Sequence, residues 1–175
     1  HRGYQNCILR FDECRVSKSQ VLGEVHHGFD IANQWLGATR LQVAATCLGR
    51  AERALELATR WAAERRQFGQ VIGKFQGVAF KLADMAMELK AAELLTLEAA
   101  WKVDQGTVTD ADMAMAKLKA TEMLAFVADE AIQIHGGNGL TREYPVEKMF
   151  RDARASMIED GVNETMMLGA FDWLK

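Results

Sequence analysis

Gln133-Ile-His-Gly-Gly-Asn-Gly139 places three glycines within four positions directly after an apolar, helix-spaced run. Arg142-Glu-Tyr-Pro145 and Arg151-Asp152 follow it, and the chain restarts a helix at its only proline. Glycine supplies positive φ angles and lets another molecule's phosphates or backbone come close, where a Cβ would collide. A helix ending in Gly136-Gly137-Asn138-Gly139 therefore offers bare amides and an amide side chain to a bulky polar ligand. The competing reading is a generous helix C-cap, since glycine and asparagine commonly end helices. A dinucleotide fingerprint is a poor fit, because no strand precedes these glycines.

The rest of the chain must position that loop. Its 175 residues are 49% hydrophobic and 26% charged, which suits one soluble domain with a sizeable core. A net charge of −3 does not advertise nucleic acid or an anionic membrane as a partner. Charges such as Arg50, Glu52, Arg53 and Glu56 are interspersed as on solvated helix faces. No apolar run reaches the length of a membrane span. The three cysteines, Cys7, Cys14 and Cys47, have no metal-like spacing and cannot all pair, so they read as reduced thiols of a reducing compartment. His26 and His27 are adjacent rather than one turn apart, which offers no metal site. The chain begins without methionine in strand-like sequence, which predicts a piece of a larger protein.

Residues 7–16 alternate weakly, with Ile8, Phe11 and Val16 suited to an extended segment. Residues 1–22 thus read as a strand-like segment followed by a turn and linker, and residues 23–175 as a helical domain. From Gly28, the spacing of Ile31, Trp35, Ala38, Ala45, Leu48, Leu55, Ala58 and Ala62 predicts a long helix ending near Phe68-Gly69. A second helix from about Gly73 carries Phe75, Val78, Leu82, Met85, Leu89 and Ala92 in heptad-like steps. Gly106 stops it, and Thr109 with Asp112 predicts the next N-cap. Met113, Ala116, Ala120, Met123, Val127, Ala131 and Ile134 then share the face of a third helix. A fourth starts near Pro145 and breaks around Asp160-Gly161. Long helices with short connections favour an all-α, up-and-down four-helix bundle. The Met and Trp residues on its stripes are expected in the core.

Several blocks, in order, support a family. Glu64-Arg-Arg-Gln-Phe-Gly69 with Ile72 and Phe75-Gln76 resembles the Glu-Arg-x-x-Phe-Gly…Ile…Phe-Gln pattern of acyl-CoA dehydrogenases. Gln133–Gly139, Glu143-Tyr-Pro-Val-Glu-Lys148 and Arg151-Asp152 are similar to that family's C-terminal signature. Leu9-Arg-Phe-Asp-Glu-Cys-Arg-Val16 looks like the last strand of its central domain. The resemblance runs over the whole chain but covers only the C-terminal third of a typical member. It implies FAD-dependent oxidation of acyl-CoA to trans-2-enoyl-CoA, a bundle that builds a homodimer or homotetramer, and electron-transfer flavoprotein or a similar acceptor. It implies a cytoplasmic or mitochondrial-matrix setting. It implies that Arg65 pairs with FAD pyrophosphate, that Gln67 and Phe68 touch the cofactor, and that Gln133, Gly136 and Gly137 meet the FAD of a neighbouring subunit. Arg40 aligns with an arginine near the acyl-CoA site.

One departure bears on mechanism. In the family's common pattern, Tyr-Glu-Gly-Thr follows the Arg-Asp pair and its glutamate is the catalytic base. Ungapped counting from Arg151-Asp152 puts Glu159 on the tyrosine and Asp160 on the base, with Gly161 and Glu164 in register. A one-residue slip would restore glutamate but misplace both markers. A minor branch of the family carries Asp-Gly-x-x-Glu here, and this chain is similar to it. Some relatives place the base immediately before the arginine matching Arg40, where this chain has Thr39; Val162 replaces a threonine near the flavin. Related members that oxidise acyl-CoA with oxygen or hydroxylate small molecules are the enzymic alternatives. A helical oligomerisation module without chemistry is the third.

Overall fold

The computed structural model describes residues 7–171. Five helices account for most of it: α1 Gly28–Glu64, α2 Gln76–Asp104, α3 Asp110–His135, α4 Val146–Ser156 and α5 Asn163–Phe171. Together α4 and α5 form the fourth side of the expected bundle, broken at the turn carrying Asp160 and Gly161. Residues 7–16 are exposed and enter no ladder among the described residues, and residues 1–6 of the N-terminal segment lie outside them. No helix among the described residues is long and apolar enough to cross a membrane.

Helix α3 is the hub, packing against each of the other four, with 16 of its 26 residues buried. Its start is fixed by a reciprocal cap, as Thr109 and Asp112 led us to expect. The Asp112 amide donates to Thr109 Oγ1 at 3.2 Å and the Thr109 amide donates to Asp112 Oδ2 at 2.9 Å. Lys102, at the end of α2, donates to the same carboxylate at 2.7 Å. Burial works to raise the proton affinity of Asp112, but the Lys102 and Thr109 contacts hold its pKa below the ordinary value.

The second half of the stripe expected of α1 turns inward, with Ala58 and Ala62 buried and Leu48 and Leu55 packed against the core, but the first half lies about one position off. The buried residues are Thr39, Val43, Ala44, Cys47, Ala51, Ala54, Ala58 and Ala62, whereas Trp35, Ala38 and Ala45 are exposed. Alanine from Ala44 to Ala62 meets Ala116, Ala120, Ala128 and Ala131 of α3 in one core. The sequence pattern favours large residues as anchors, but between two long helices small side chains allow the closer approach. Trp35 and Trp101 are likewise exposed rather than core, while Met85, Met123 and Met166 are buried.

The end of α1 also differs. The helix stops at Glu64, and Arg66–Gln67 (β1) pairs antiparallel with Gln70–Val71 (β2). Phe68 (φ 49°) and Gly69 (φ 83°) are the two central residues of this hairpin. Positive φ at both is what a tightly twisted two-residue hairpin loop requires. Phe68-Gly69 therefore turns the chain through a hairpin instead of ending the helix.

The alanine seam makes a direct prediction. Ala54→Leu adds three carbons at a position with no exposed surface. It should destabilise the domain by about 1–3 kcal/mol in chemical denaturation, because an already filled core must shift to accept them.

Candidate functional site

Two adjoining clefts lie where α1 and α3 end and α2 begins. One, of about 450 Å³, is bordered by Trp61, Arg65, Gln67 and the Gly136-Gly137-Asn138 loop. The other, of about 480 Å³, is largely apolar and is bordered by Gln67, Phe68, Phe75, Val78 and Gln133. All six residues that the resemblance implies for FAD therefore stand on two clefts sharing Gln67, Ile72 and Ile134.

The local chemistry of each residue follows from its element. Arg65 follows the last turn of α1, with its guanidinium carbon 5.9 Å from the centre of the Trp61 ring, a cation–π arrangement that leaves the planar donors accessible. Phe68 is 92% exposed at the hairpin tip, with its ring edge-on to Phe75 at 6.2 Å. Helix α3 ends at Gly136, whose amide donates back to the helix and whose φ of 63° demands glycine. The loop Gly136–Leu140 then winds as a short 3-10 turn. Gly139 is needed for packing, since a Cβ there would lie 2.8 Å from the Ile132 carbonyl oxygen. Gly137 is different: its φ is ordinary and a Cβ would meet nothing within 4 Å. Neither strain nor packing requires glycine at 137, and the bare backbone is left open beside the cleft. An exposed guanidinium, an open glycine edge and an apolar floor fit the phosphate, ribose and ring portions of a dinucleotide.

Beneath this loop, Trp61 stacks on His135 with ring centres 5.1 Å apart and planes 16° apart, and Tyr144 meets both rings edge-on. His135 Nδ1 donates to the Ala131 carbonyl at 2.7 Å, which leaves Nε2 as the unprotonated nitrogen. Burial depresses its pKa below the ordinary value, outweighing the hydrogen bond to Ala131. The ring is held neutral and acts as a packing plate. His135 and Tyr144 lie within motifs quoted from the sequence, but their stacking with Trp61 was not foreseen, since the spacing from 61 to 144 carries no local signal.

A third cleft, of about 290 Å³, sits at the other end of the inward half of α1. Thr39, Val43, Thr46 and Arg50 of α1 face Ser156, Glu159 and Asp160 across it. Arg50 Nη1 donates to Ser156 Oγ at 3.2 Å, joining the two walls. Cys47 lies beneath, its thiol pushed up to about 11 chiefly by burial, so it is a neutral core residue. Asp160 takes a left-handed backbone (φ 52°), which aspartate tolerates better than most residues. Helix α5 starts only at Asn163, so Asp160 stands outside its first turn and is not its cap. Arg40 does not line this cleft; its Nε is buried without a hydrogen-bond partner on the protein. Among the described residues no three His, Cys, Asp or Glu side chains converge as a metal site would need.

Comparison with known proteins gives the family. Residues 26–172 match the family model described as acyl-CoA dehydrogenase, C-terminal domain. The chain belongs to the acyl-CoA dehydrogenase family. It is 42% identical over 167 residues to the human short-chain specific acyl-CoA dehydrogenase, mitochondrial, covering 95% of this chain and 40% of the relative. It is 41% identical over 157 residues to a subunit of the caffeyl-CoA reductase–Etf complex of Acetobacterium woodii, covering 90% of this chain and 41% of the relative. The structure of butyryl-CoA dehydrogenase from Megasphaera elsdenii superposes with a TM-score of 0.89 at 41% identity, over 94% of this chain and 43% of that one. The chain thus spans about two-fifths of the length of these acyl-CoA dehydrogenase relatives.

The neutral His135 gives this acyl-CoA dehydrogenase domain a testable pH response. A histidine whose folded pKa is depressed binds fewer protons when folded than when unfolded, so stability is full above the ordinary value near 6.5 and falls as pH drops through that region. His135→Phe keeps the stack and removes the titration. Melting temperatures between pH 7.5 and pH 5 should fall less steeply for the variant than for the parent.

Proposed function

We propose that this chain is the C-terminal domain of an FAD-dependent acyl-CoA dehydrogenase, and that Asp160 is the base that takes the α-proton of the acyl thioester. The observation that carries this reading is the placement of Asp160 on a strained turn, outside any helix, facing Thr39 and Val43 across a cleft. A carboxylate so held has the reach and freedom from helix-capping duty that a general base requires. The chemistry that FAD supplies when bound is acceptance of the Cβ hydride, so the protein's share is orientation and proton transfer. Arg65 would hold the cofactor's pyrophosphate, with Gln67, Phe68, Gln133, Gly136 and Gly137 along its length. Arg40 does not line this cleft, and its charge acts on the buried Lys117.

On this reading the two ends of the chemistry belong to different bound cofactors. Val43 and Arg65 are 22 positions apart on or just beyond one continuous helix, or roughly 33 Å at 1.5 Å per residue. A flavin beside Asp160 therefore leaves the Arg65 cleft for the cofactor of a neighbouring subunit. Consistent with such assembly, α2 presents Phe80, Met87, Leu94 and Trp101 at heptad spacing on its outer face, each more than half exposed. We assign this stripe to a homodimer or homotetramer contact. The Etf complex named for one relative favours electron-transfer flavoprotein or a similar acceptor, and free cysteines favour a reducing compartment, cytoplasmic or mitochondrial matrix. The same relative is named as a reductase, and Asp160 would equally return a proton to Cα if the site ran toward the saturated thioester.

Two experiments test the reading. In the full-length enzyme, Asp160→Asn should bind acyl-CoA but lose roughly 10²–10⁴-fold in the rate of flavin reduction measured by rapid mixing. Glu159→Gln should change that rate little; the reverse pattern shifts the register by one residue and makes Glu159 the base. Separately, Met87→Glu with Leu94→Glu should lower the assembly state seen by sedimentation while leaving helix content intact, since like charges would face each other on the proposed contact. An unchanged sedimentation coefficient removes α2 from the interface.

A further inference from the structure

Lys117 lies in the middle of α3 with none of its surface exposed. A buried ammonium is costly unless it is fully hydrogen-bonded. Its Nζ donates to the Gly161 carbonyl oxygen at 2.7 Å and to Asn163 Oδ1 at 2.8 Å. Asn163 Nδ2 donates to Thr121 Oγ1 at 3.0 Å, and that hydroxyl donates to the Leu118 carbonyl at 3.1 Å. The chain of contacts is therefore rooted twice in α3, one turn apart, and closes on the segment between α4 and α5. Thr121 and Asn163 are themselves buried, so the contacts do not compete with water.

What these contacts hold is an unfavourable backbone. Asp160 (φ 52°) and Gly161 (φ 102°) are consecutive left-handed residues. Such conformations persist where the surroundings over-determine them. Burial lowers the proton affinity of Lys117, while Glu159 and Asp160 of the turn support its charge and Arg40 of α1 opposes it. Lys117 touches no cleft wall itself; its contacts reach the turn from behind.

We propose that Lys117 is a positioning residue for the general base: it grips the Gly161 carbonyl and Asn163 so that the left-handed turn presents Asp160 to the acyl cleft. This rests on the assignment of Asp160 above. It assigns a task to a charge that packing alone does not require.

The test uses the full-length enzyme with FAD, comparing the parent with Lys117→Met and Thr121→Val. tert-Butylacetyl-CoA has α-hydrogens but no β-hydrogen, so washout of its α-hydrogens into D2O, followed by NMR, reads the base without oxidation. Amide exchange of residues 157–163 reads the turn itself. Lys117→Met should slow washout on the order of 100-fold, as expected when a reacting group is displaced by about 1 Å, with thioester affinity held within about twofold. Thr121→Val, which removes only the anchor of Asn163, should slow washout roughly tenfold and decides the matter if Lys117→Met does not fold. Amides 157–163 should lose protection in both. A turn that keeps its protection, or one that loosens while washout stays at the parent rate, overturns the clamp. Absence of washout in the parent overturns the acyl-CoA reading, and the clamp with it.

Discussion

Alanine fills the seam between α1 and α3, and the positions of all three clefts follow from that seating. With Ala44, Ala51, Ala54, Ala58 and Ala62 on one side and Ala116, Ala120, Ala128 and Ala131 on the other, small side chains make up much of the core the two helices share, alongside Met123, Leu124 and Val127. Small residues make the approach close and leave little tolerance for error, because an alanine methyl has no rotamer with which to absorb a shift. The Gly136 loop, the Trp61–His135 stack and the Lys117 contacts are all carried on these two helices. A bundle held by bulky, adaptable residues would fold as well but would not place them as narrowly.

Much of this was legible in the residues. The three long helices, the Thr109–Asp112 cap, the end of α3 in glycine and the break at Asp160-Gly161 each had a local chemical cause, and each is present. The first half of the α1 face was misjudged because Trp35 looks like an anchor, whereas much of the packing surface is built from alanine, whose hydrophobicity is too slight to dominate a periodic pattern. Phe68-Gly69 read as a helix stop, since glycine signals both a helix end and a hairpin, and only the pairing of Gln67 with Gln70 distinguishes them.

Lys117 was the least legible. It falls on the apolar face of α3 between Ala116 and Leu118, but a lysine there ordinarily extends its amine to the surface. That it ends instead on Gly161 and Asn163, more than 40 positions away, depends on how α5 returns across α3. The outer stripe of α2 was hidden for a different reason. A helix with apolar residues on two faces yields a weak amphipathic signal, and the inner stripe of Val78, Leu82, Met85 and Leu89 accounted for the pattern first.

The 37-residue length of α1 has a consequence for inheritance. Under the proposed assembly, each chain gives its Asp160 to one active site and its Arg65 cleft to another. Damage to the two ends is then felt at different sites in a mixed oligomer. Two defective alleles, one altered at each end, would reconstitute some sites in which both contributions are sound. Two alleles altered at the same end would reconstitute none.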